Sequence, residues 1–216
     1  MRRKKSSCIF FLIGLLLFSC REKEKKVVVA PRITLQSTLP KMEQSKVLLS
    51  DGCIVLRTGN DVISSMFAQL NRTDKTFSHC GIAFEEDKKW YVFHSIGGED
   101  NPNAKLRKDT YEKFVGFEHN LGFGICKYAL TDTQVQKLHN IVMGFYQKEI
   151  PFDMQFDLHS NNRLYCAEMV YKAYQQALGV DTFFSTTVIK DFRYVSTDNL
   201  FVNKHAQLLC HVNYCD

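Results

Sequence analysis

The sequence predicts a globular domain of the α+β class, and three observations lead to that prediction. Residues 77–95 contain two β-rich runs on either side of a charged turn, Glu85 to Lys88, a pattern typical of a β-hairpin. Residues 132–147 and the stretch after Tyr165 carry apolar side chains three or four positions apart, which is the period of a helix with one buried face. A chain of 216 residues, of which 45% are hydrophobic, is long enough for one such domain with appendages.

Residues 1–20 are typical of an export signal. Four basic residues, Arg2 to Lys5, precede an apolar run from Cys8 to Phe18 that is too short to span a bilayer comfortably. The run ends in Leu-Phe-Ser-Cys20, which resembles the end of a bacterial lipoprotein signal. By that resemblance, Cys20 is acylated and becomes the first mature residue, so the membrane is a partner through an N-terminal lipid anchor. The alternative is a plain membrane anchor with an inert Cys20, and both interpretations place the protein in the cell envelope.

Residues 21–46 are predicted to form a flexible tether, and residues 47–216 the globular domain. Every residue from Arg21 to Lys26 is charged, so this segment cannot contribute to a core, and two prolines, Pro31 and Pro40, follow it. Charged linkers extend in solution, which suits a domain held away from a membrane surface.

The net charge of +5 does not indicate a nucleic-acid partner. Residues 1–27 contain eight Lys or Arg and two Glu, so the remainder of the chain is close to neutral. The sequence has no basic stripe with interleaved aromatic residues, and we therefore expect no nucleic-acid binding.

Two further helices are predicted from capping residues and apolar periodicity. Asn60 is the expected N-cap of a helix over residues 61–71 whose apolar residues fall on one face. These residues are Val62, Met66, Phe67 and Leu70. Thr131 and Asp132 are expected to cap a helix that runs to about Gln147. Its predicted buried stripe is Val135, Leu138, Val142 and Phe145.

The predicted hairpin carries two histidines. If Glu85 to Lys88 forms the connection, Phe84 pairs with Lys89 and His79 lies directly opposite His94. Directly opposed side chains have Cβ atoms roughly 4.5–5.5 Å apart, so the two imidazoles can form a hydrogen bond. A slip of one residue would send His94 to the other face of the sheet.

Cys166 is the candidate nucleophile. The polar segment His159–Asn162 predicts that a helix begins near Tyr165, which puts Cys166 in its first turn. Free backbone N–H groups and the positive end of the helix dipole favour the thiolate there, and the thiolate is the nucleophilic form. The alternative is a buried structural cysteine, since free cysteine is among the most buried residue types.

Other chemistry is less favoured by the pattern. A zinc site would be indicated by paired ligands such as Cys-x-x-Cys, but His79 and Cys80 are adjacent on a strand and point to opposite faces. The acidic residues Asp153, Asp157 and Glu168 are interpreted as solvated or cap-forming carboxylates. We therefore expect no metal and no cofactor. Cys210 and Cys215 could form a disulfide in an oxidising envelope, although their spacing alone does not prove one.

Four blocks of the sequence resemble the permuted papain-like amidases of the YaeF/YiiX type, relatives of the NlpC-type cell-wall peptidases and of lecithin:retinol acyltransferase. The blocks are Asp51-Gly-Cys-Ile-Val55, Phe77-Ser-His-Cys-Gly-Ile82, Phe152-Asp153 and Leu164-Tyr-Cys-Ala-Glu-Met-Val170. They occur in the family's order between about Leu48 and at least Leu178. The first block departs from the family, which usually has Gly-Asp where this chain has Gly52-Cys53.

The resemblance implies a circularly permuted papain-like (NlpC-type) α+β fold, in which a small antiparallel sheet packs against the helix that carries the nucleophile. It implies that Cys166 is the nucleophile, His79 the base and His94 the polar residue that orients the base. Three kinds of function remain open. They are an envelope amidase or peptidase acting on peptide-like substrates, a lipid-directed acyltransferase or lipase with an acyl substrate, and a binding protein with a retired active site. An apolar groove at the thiol would favour the second, and a polar cleft the first. The sequence does not determine the oligomeric state.

Overall fold

The computed structural model describes residues 35–98 and 100–215 and confirms the α+β class. In these ranges the strands are β1 (Ile54–Gly59), β2 (His79–Glu86), β3 (Lys89–His94), β4 (Arg107–Thr110), β5 (Asn120–Lys127), β6 (Thr187–Ile189), β7 (Phe192–Tyr194) and β8 (Gln207–Asn213). The α-helices are α1 (Leu35–Ser45), α2 (Val62–Gln69), α3 (Tyr111–Val115), α4 (Asp132–Gln147), α5 (Cys166–Leu178) and α6 (Thr197–Phe201). Six strands form one antiparallel sheet in the order β4-β3-β2-β1-β5-β8, while β6 and β7 pair with each other.

The main sheet has a buried core on each face. On one face, α4 and α5 pack against alternate residues of the strands, among them Leu56, Cys80 and Ile82. On the other face, the intervening strand residues pack with side chains from α1 and α3, such as Met42 and Phe114. Because successive side chains of a strand point to opposite faces, each strand serves both cores.

The β2–β3 hairpin is confirmed, but the predicted register is wrong by two residues. Glu86 pairs with Lys89, so the connection is the two-residue turn Asp87-Lys88, and Phe84 lies opposite Tyr91 rather than Lys89. Both turn residues have positive φ, as the tight turns that match the twist of paired strands require. An even shift keeps every side chain on its predicted face, so His79 and His94 are diagonal neighbours instead of a directly opposed pair.

Helix α2 is shorter than predicted and its apolar face is not buried. Asp61, not Asn60, is the N-cap, and its side chain accepts a hydrogen bond from Ser64 N–H at 2.8 Å. Val62 is 75% exposed and Met66 63% exposed, whereas Ala68 is the buried residue of the helix. The period of the sequence identified a helix, but of the predicted stripe only Phe67 is half-buried, with its ring 5.6 Å from that of Phe156.

Part of the predicted tether belongs to the folded domain. Leu35–Ser45 forms α1, and Met42 is buried in the core beneath the sheet. The hydroxyl of Ser45 contacts the Tyr111 hydroxyl at 2.7 Å. The folded part therefore begins before residue 47, because Met42 and Ser45 find buried partners. The rest of the tether, residues 21–34, and the signal segment lie outside the described residues.

Helix α4 agrees with the prediction made from its cap. It begins after Thr131, whose hydroxyl accepts from Gln134 N–H in a capping box, and it ends at Gln147. Leu138 and Val142 of its predicted stripe are buried, while Val135 and Phe145 are half-buried.

Two smaller expectations concern the membrane and the thiols. Within residues 35–98 and 100–215, each helix is too short or too polar to cross a lipid bilayer. Cys210 lies in β8 and Cys215 follows it, and both are free thiols in the structure.

Candidate active site

Cys166 is the first residue of α5, as the sequence predicts. Tyr165 is the N-cap, and its position is held from two sides. Its N–H donates to the Glu168 carboxylate at 3.1 Å, and its hydroxyl accepts from Val195 N–H at 2.7 Å. Cys166 as a residue is partly buried, and its thiol is attached to a helix start that these two hydrogen bonds fix.

The surroundings of Cys166 favour its thiolate. A hydrogen bond from the Cys80 side chain is the largest influence, and it lowers the pKa of the Cys166 thiol against the effect of burial. The backbone N–H of Ala167, in the first turn of α5, acts in the same direction, as does the more distant charge of Arg57. The predicted effect of the helix start is therefore present, together with a neighbouring thiol that the sequence did not indicate.

The two predicted histidines are in contact. His79 Nε2 and His94 Nδ1 are 2.9 Å apart, and both side chains are buried. Gly81 makes this approach possible. A Cβ on Gly81 would lie 2.6 Å from Val92 Cγ1 and 2.9 Å from His94 Cβ, so a larger residue would push β3 away.

A third residue, Asp109, extends the pair into a chain. His94 Nε2 lies 3.1 Å from Asp109 Oδ2, and the carboxylate also pairs with Arg107 and Lys113 at 2.8 Å each. Asp109 is not predicted from the sequence, because residues 97–128 show no clear period and β4 is only four residues long. The strand Arg107-Lys-Asp-Thr110 is polar throughout, so it has no apolar alternation that would have placed Asp109 on a strand.

The bonding order determines which nitrogen of His79 is free to act as a base. Burial raises the pKa of Asp109, but hydrogen bonds from His94 and Lys113 outweigh it and hold that pKa well below the usual range. An ionised carboxylate only accepts, so His94 Nε2 donates to it and neutral His94 accepts at Nδ1. His79 therefore donates from Nε2, which leaves the lone pair on Nδ1. Within the described part of the chain, that Nδ1 makes no hydrogen bond.

Both imidazoles are neutral near pH 7. Burial lowers the pKa of His94 to about 4, although the hydrogen bond to Asp109 opposes the shift. Burial and the positive charge of Arg57 lower the pKa of His79 well below its ordinary value. A neutral His79 is in the protonation state that a general base needs before reaction.

Arg57 is a second residue that the sequence analysis did not single out. It lies directly opposite His79 in the β1–β2 ladder, and its guanidinium stacks over Phe114, 4.9 Å from the ring centroid. The rings of His79 and His94 also pack on Phe114, at centroid distances of 5.6 and 4.9 Å. The Phe114 ring therefore packs against both histidines and against the Arg57 guanidinium.

The structure brings the predicted residues together only in part. His79 and His94 are hydrogen-bonded, and Cys166 packs against the buried cluster that contains Cys80, the residue that follows His79 on β2. In the described residues, no hydrogen bond joins Cys166 to His79. Their pairing as nucleophile and base stays a prediction, for which the free Nδ1 of His79 supplies the acceptor.

A small cleft opens at Cys166, and most of its wall is apolar. Its apolar lining comes from α2, from the loop before α5 and from the end of β7, with Phe67, Leu70, Phe156, Tyr165, Tyr194 and Val195. Its polar lining is Asn71, Ser78, Ser196 and Thr197. A larger concavity, about 520 Å³, lies at the other end of β2 between Phe84, Glu85 and α4, and Cys166 is not among its lining residues.

The acidic residues near α5 have structural roles. Asp153 is buried and accepts from the N–H groups of Gln155 and Asp157, so it shapes the loop. Glu168 is fully buried rather than solvated, caps Tyr165, and pairs with Lys172 at 2.8 Å. Burial raises the pKa of Glu168 to about 7, with Lys172 opposing the shift.

Three comparisons relate this site to known proteins. Residues 48–201 match the model of a family described as permuted papain-like amidase enzyme, YaeF/YiiX, C92 family. The Escherichia coli (strain K12) protein named uncharacterized protein YiiX is 30% identical over 129 residues, which are 60% of this chain and 59% of that protein. The match thus spans less than two thirds of the relative. The crystal structure of a protein described as metalloprotein yiiX from Escherichia coli O157:H7 has a TM-score of 0.62 at 22% identity. It covers 76% of this chain and 97% of that one, and it shows a shared fold.

Proposed function

The chain belongs to the permuted papain-like amidase family of the YaeF/YiiX type, and from that membership we propose that it is an envelope-anchored cysteine hydrolase. The proposed reaction is cleavage of amide bonds in peptide-like substrates, with cell-wall peptides as one source, through a thioacyl-enzyme. The observation that supports it most directly is a cysteine at a helix start whose thiol pKa is lowered. Its helix, α5, packs on β2, the strand that begins with a neutral histidine whose ring is held by a second histidine.

The proposed steps give each residue one role. Cys166 Sγ attacks the carbonyl carbon, and His79 Nδ1 takes the proton that the thiol gives up. Backbone N–H groups at the start of α5 stabilise the oxyanion that forms. Its collapse breaks the C–N bond, and His79 returns the proton to the leaving amine. Water then attacks the thioester with His79 again as base, which releases the carboxylic acid and restores Cys166.

The related E. coli O157:H7 protein of known structure is described as a metalloprotein. In the part of this chain that the structure describes, no three His, Cys, Asp or Glu side chains converge so that they could hold a metal ion. The described residues therefore do not supply such a donor set, and the proposed mechanism assigns its steps to side chains and backbone groups of this chain.

The test is to trap the thioacyl-enzyme. Purified protein is incubated with envelope extract, quenched in acid and weighed by mass spectrometry, with Cys166→Ala as the control. We expect an acyl adduct on Cys166 whose mass identifies the acyl group, and no adduct on the control. Equal labelling of both proteins, or none with any extract or activated ester, would contradict the proposal and favour the retired binding protein.

A second function is favoured by the lining of the cleft. Phe67, Leu70 and Tyr194 suit an acyl chain better than a polar peptide, and the exposed Ile63 and Met66 continue the same face of α2. This supports a lipid-directed thiol acyltransferase or lipase. Esters of a common alcohol with two- to twelve-carbon acyl groups would distinguish the two functions. A rise in kcat/KM with chain length that Phe67→Ala abolishes would favour the lipid substrate.

A further inference from the structure

Arg57 lies beside the proposed base. Arg57 and His79 are directly opposite each other in the antiparallel pair of β1 and β2, so their side chains point to the same face of the sheet. The Arg57 guanidinium carbon is 4.9 Å from the centroid of the Phe114 ring, and the centroid of the His79 ring is 5.6 Å from it. A cation and an imidazole are therefore held against one aromatic ring.

The Arg57 guanidinium has donors that the described chain does not satisfy. Nη1 donates to the Phe114 carbonyl at 3.3 Å, whereas Nε is buried and has no hydrogen-bond partner among the described residues. In the same part of the chain Arg57 forms no salt bridge, although Arg107 on β4 pairs with Asp109. A guanidinium carries several N–H donors in a planar fork, so Arg57 retains the capacity to bind a further acceptor.

The acidic groups that act on Arg57 are bound to other residues. Burial lowers the pKa of Arg57, and the negative charge of the Cys166 thiolate is the largest influence against that shift. The carboxylates of Asp109 and Asp61 act in the same direction as the thiolate. Asp109 is held by the ion pairs described above, and Asp61 accepts hydrogen bonds from the N–H and the hydroxyl of Ser64. Arg57 is therefore a partly buried cation for which the described residues supply no paired counter-ion.

The position of Arg57 relates it to the leaving group of the proposed reaction. Burial lowers the pKa of His79, and the positive charge of Arg57 adds to that shift, so the two side chains are within electrostatic reach of each other. In the proposed steps His79 returns a proton to the leaving amine, which requires the amine to lie against His79. The part of the substrate attached to that amine is then the part closest to Arg57.

We propose that Arg57 binds a carboxylate carried by the leaving amine, so that the substrates are amides of amino acids or peptides with a free carboxylate in that part. This inference rests on the proposed function and names its substrate class. Parallel N–H groups of a guanidinium match the oxygens of a carboxylate. The amine portion of a peptide-like substrate carries such a group as its C-terminal carboxylate or as an acidic side chain. An arginine that only packs on Phe114 would show no preference for a charged leaving group.

The experiment changes only the charge of the leaving group. The probes are 4-nitrophenyl acetate and 3-carboxy-4-nitrophenyl acetate, which transfer the same acetyl group to Cys166 Sγ and release nitrophenolates that differ by a carboxylate. Release of the nitrophenolate is followed in a single turnover, and peptide mass spectrometry locates the acetyl group. Each rate is divided by the rate of free cysteine with the same ester, which removes the difference in intrinsic reactivity. The ratio of the two normalised rates measures the preference for the carboxylate.

Wild type is compared with Arg57→Gln and Arg57→Lys, and Arg193→Gln is the matched control. Arg193 is an exposed arginine on β7, it precedes Tyr194 of the cleft wall, and its guanidinium donates to the Thr186 hydroxyl at 3.3 Å. The control therefore removes the same charge near the same cleft but away from the histidine pair. Circular dichroism identifies the variants that fold, and the wild-type ratio tests the inference without any variant.

We expect wild type to prefer the carboxylate ester by roughly 10- to 100-fold, the usual effect of a hydrogen bond between charged groups. Arg57→Gln should lower the ratio to about one, and Arg57→Lys should keep part of it, because lysine retains the charge but not the fork. Arg193→Gln should leave the ratio unchanged. A wild-type ratio of about one, a preference that Arg57→Gln retains, or an equal loss in Arg193→Gln would overturn the role of Arg57 while leaving Cys166 as nucleophile. If neither ester acetylates Cys166, the proposed function is overturned as well.

Discussion

His79 and His94 are hydrogen-bonded to each other, but they have different roles in the proposed mechanism. His79→Ala removes the proton acceptor and should lower the acylation rate by roughly 10²–10⁴-fold, the usual size of a general-base contribution. His94→Ala keeps the base but frees its tautomer and ring angle. His94→Gln restores an acceptor for His79 Nε2 and should recover part of the loss. Single-turnover acylation with an activated ester measures all three variants. Equal loss at both positions without rescue would show that His94 does more than orient.

The buried neutral state of His94 predicts a loss of stability in acid. The pKa of His94 is 6.5 in the unfolded chain and about 4 in the folded protein. Between these two pH values the unfolded chain binds more protons than the folded protein. The free energy of unfolding therefore decreases as the pH falls through this interval. A shift of that size on a side chain that is 1% exposed corresponds to about 3 kcal/mol.

Urea unfolding of wild type and His94→Gln at pH 7 and pH 4 measures this contribution. The wild type should lose more stability than the variant over that interval. Glu168, with its raised pKa, acts in the opposite direction but in both proteins, so its effect cancels in the difference. The difference then reports His94 together with its influence on the neighbouring His79, whose pKa is also lowered. Identical pH dependence in the two proteins would show that His94 is not buried in its neutral form.

The β2–β3 hairpin depends on Gly81 for the closeness of its two histidines. Gly81→Ala would place a Cβ 2.7 Å from the Phe93 carbonyl oxygen. That oxygen belongs to the backbone of β3, so it cannot move away without displacing the strand. We expect a loss of about 1–3 kcal/mol, typical of overpacking, and a fall in acylation as His94 is displaced. Gly144→Ala is the control, because a Cβ there meets nothing within 4 Å and alanine favours the α4 helix. If Gly81→Ala changed neither the stability nor the acylation rate, the observed pairing of β2 with β3 would be contradicted.

Helix α5 begins on a buried ion pair. Glu168→Ala removes the acceptor for Tyr165 N–H and leaves the buried Lys172 ammonium without its carboxylate, so it should cost about 3–5 kcal/mol. Lys172→Met should cost less, because the raised pKa of Glu168 lets it take up a proton. Denaturant unfolding of the two single variants and the double variant gives the coupling energy. Additive losses would show that the two side chains are not paired in solution.

The chain as a whole combines a described domain with an N-terminal segment that lies outside the described residues. We propose that residues 1–19 are removed and that Cys20 is lipidated, because Leu15 to Ser19 precede a cysteine in the order typical of lipoprotein signals. Mass spectrometry of membrane-extracted protein should show a diacyl- or triacyl-modified Cys20 as the first residue. Cys20→Ser should abolish that modification. An intact Met1, or an unmodified Cys20, would contradict lipoprotein processing.

The exposed apolar face of α2 shows how local pattern and tertiary structure diverge. The spacing of Val62, Met66 and Leu70 predicts an amphipathic helix, and a helix forms there. Whether its apolar face is buried depends on elements distant in the sequence, and the described chain packs only Ala68 of α2 into the core. The period of a sequence predicts which residues share a face, but not what that face meets.

The sequence by itself determined the features that depend on near neighbours. The polar turn before Tyr165 and the apolar period after it put Cys166 at a helix start. Strand alternation put His79 and His94 on one face, and this survived a register error because an even shift preserves the face.

Tertiary structure alone decided the contacts between distant strands and helices. The position of Asp109 beside His94 depends on β4 pairing with β3 across a loop that has no periodic pattern. Cys166 packs against the cluster that contains Cys80, although the two residues are 86 positions apart, because α5 packs on that face of β2. Local sequence sets backbone conformation and the direction of each side chain, whereas the partner that the side chain meets is set by packing of the whole core.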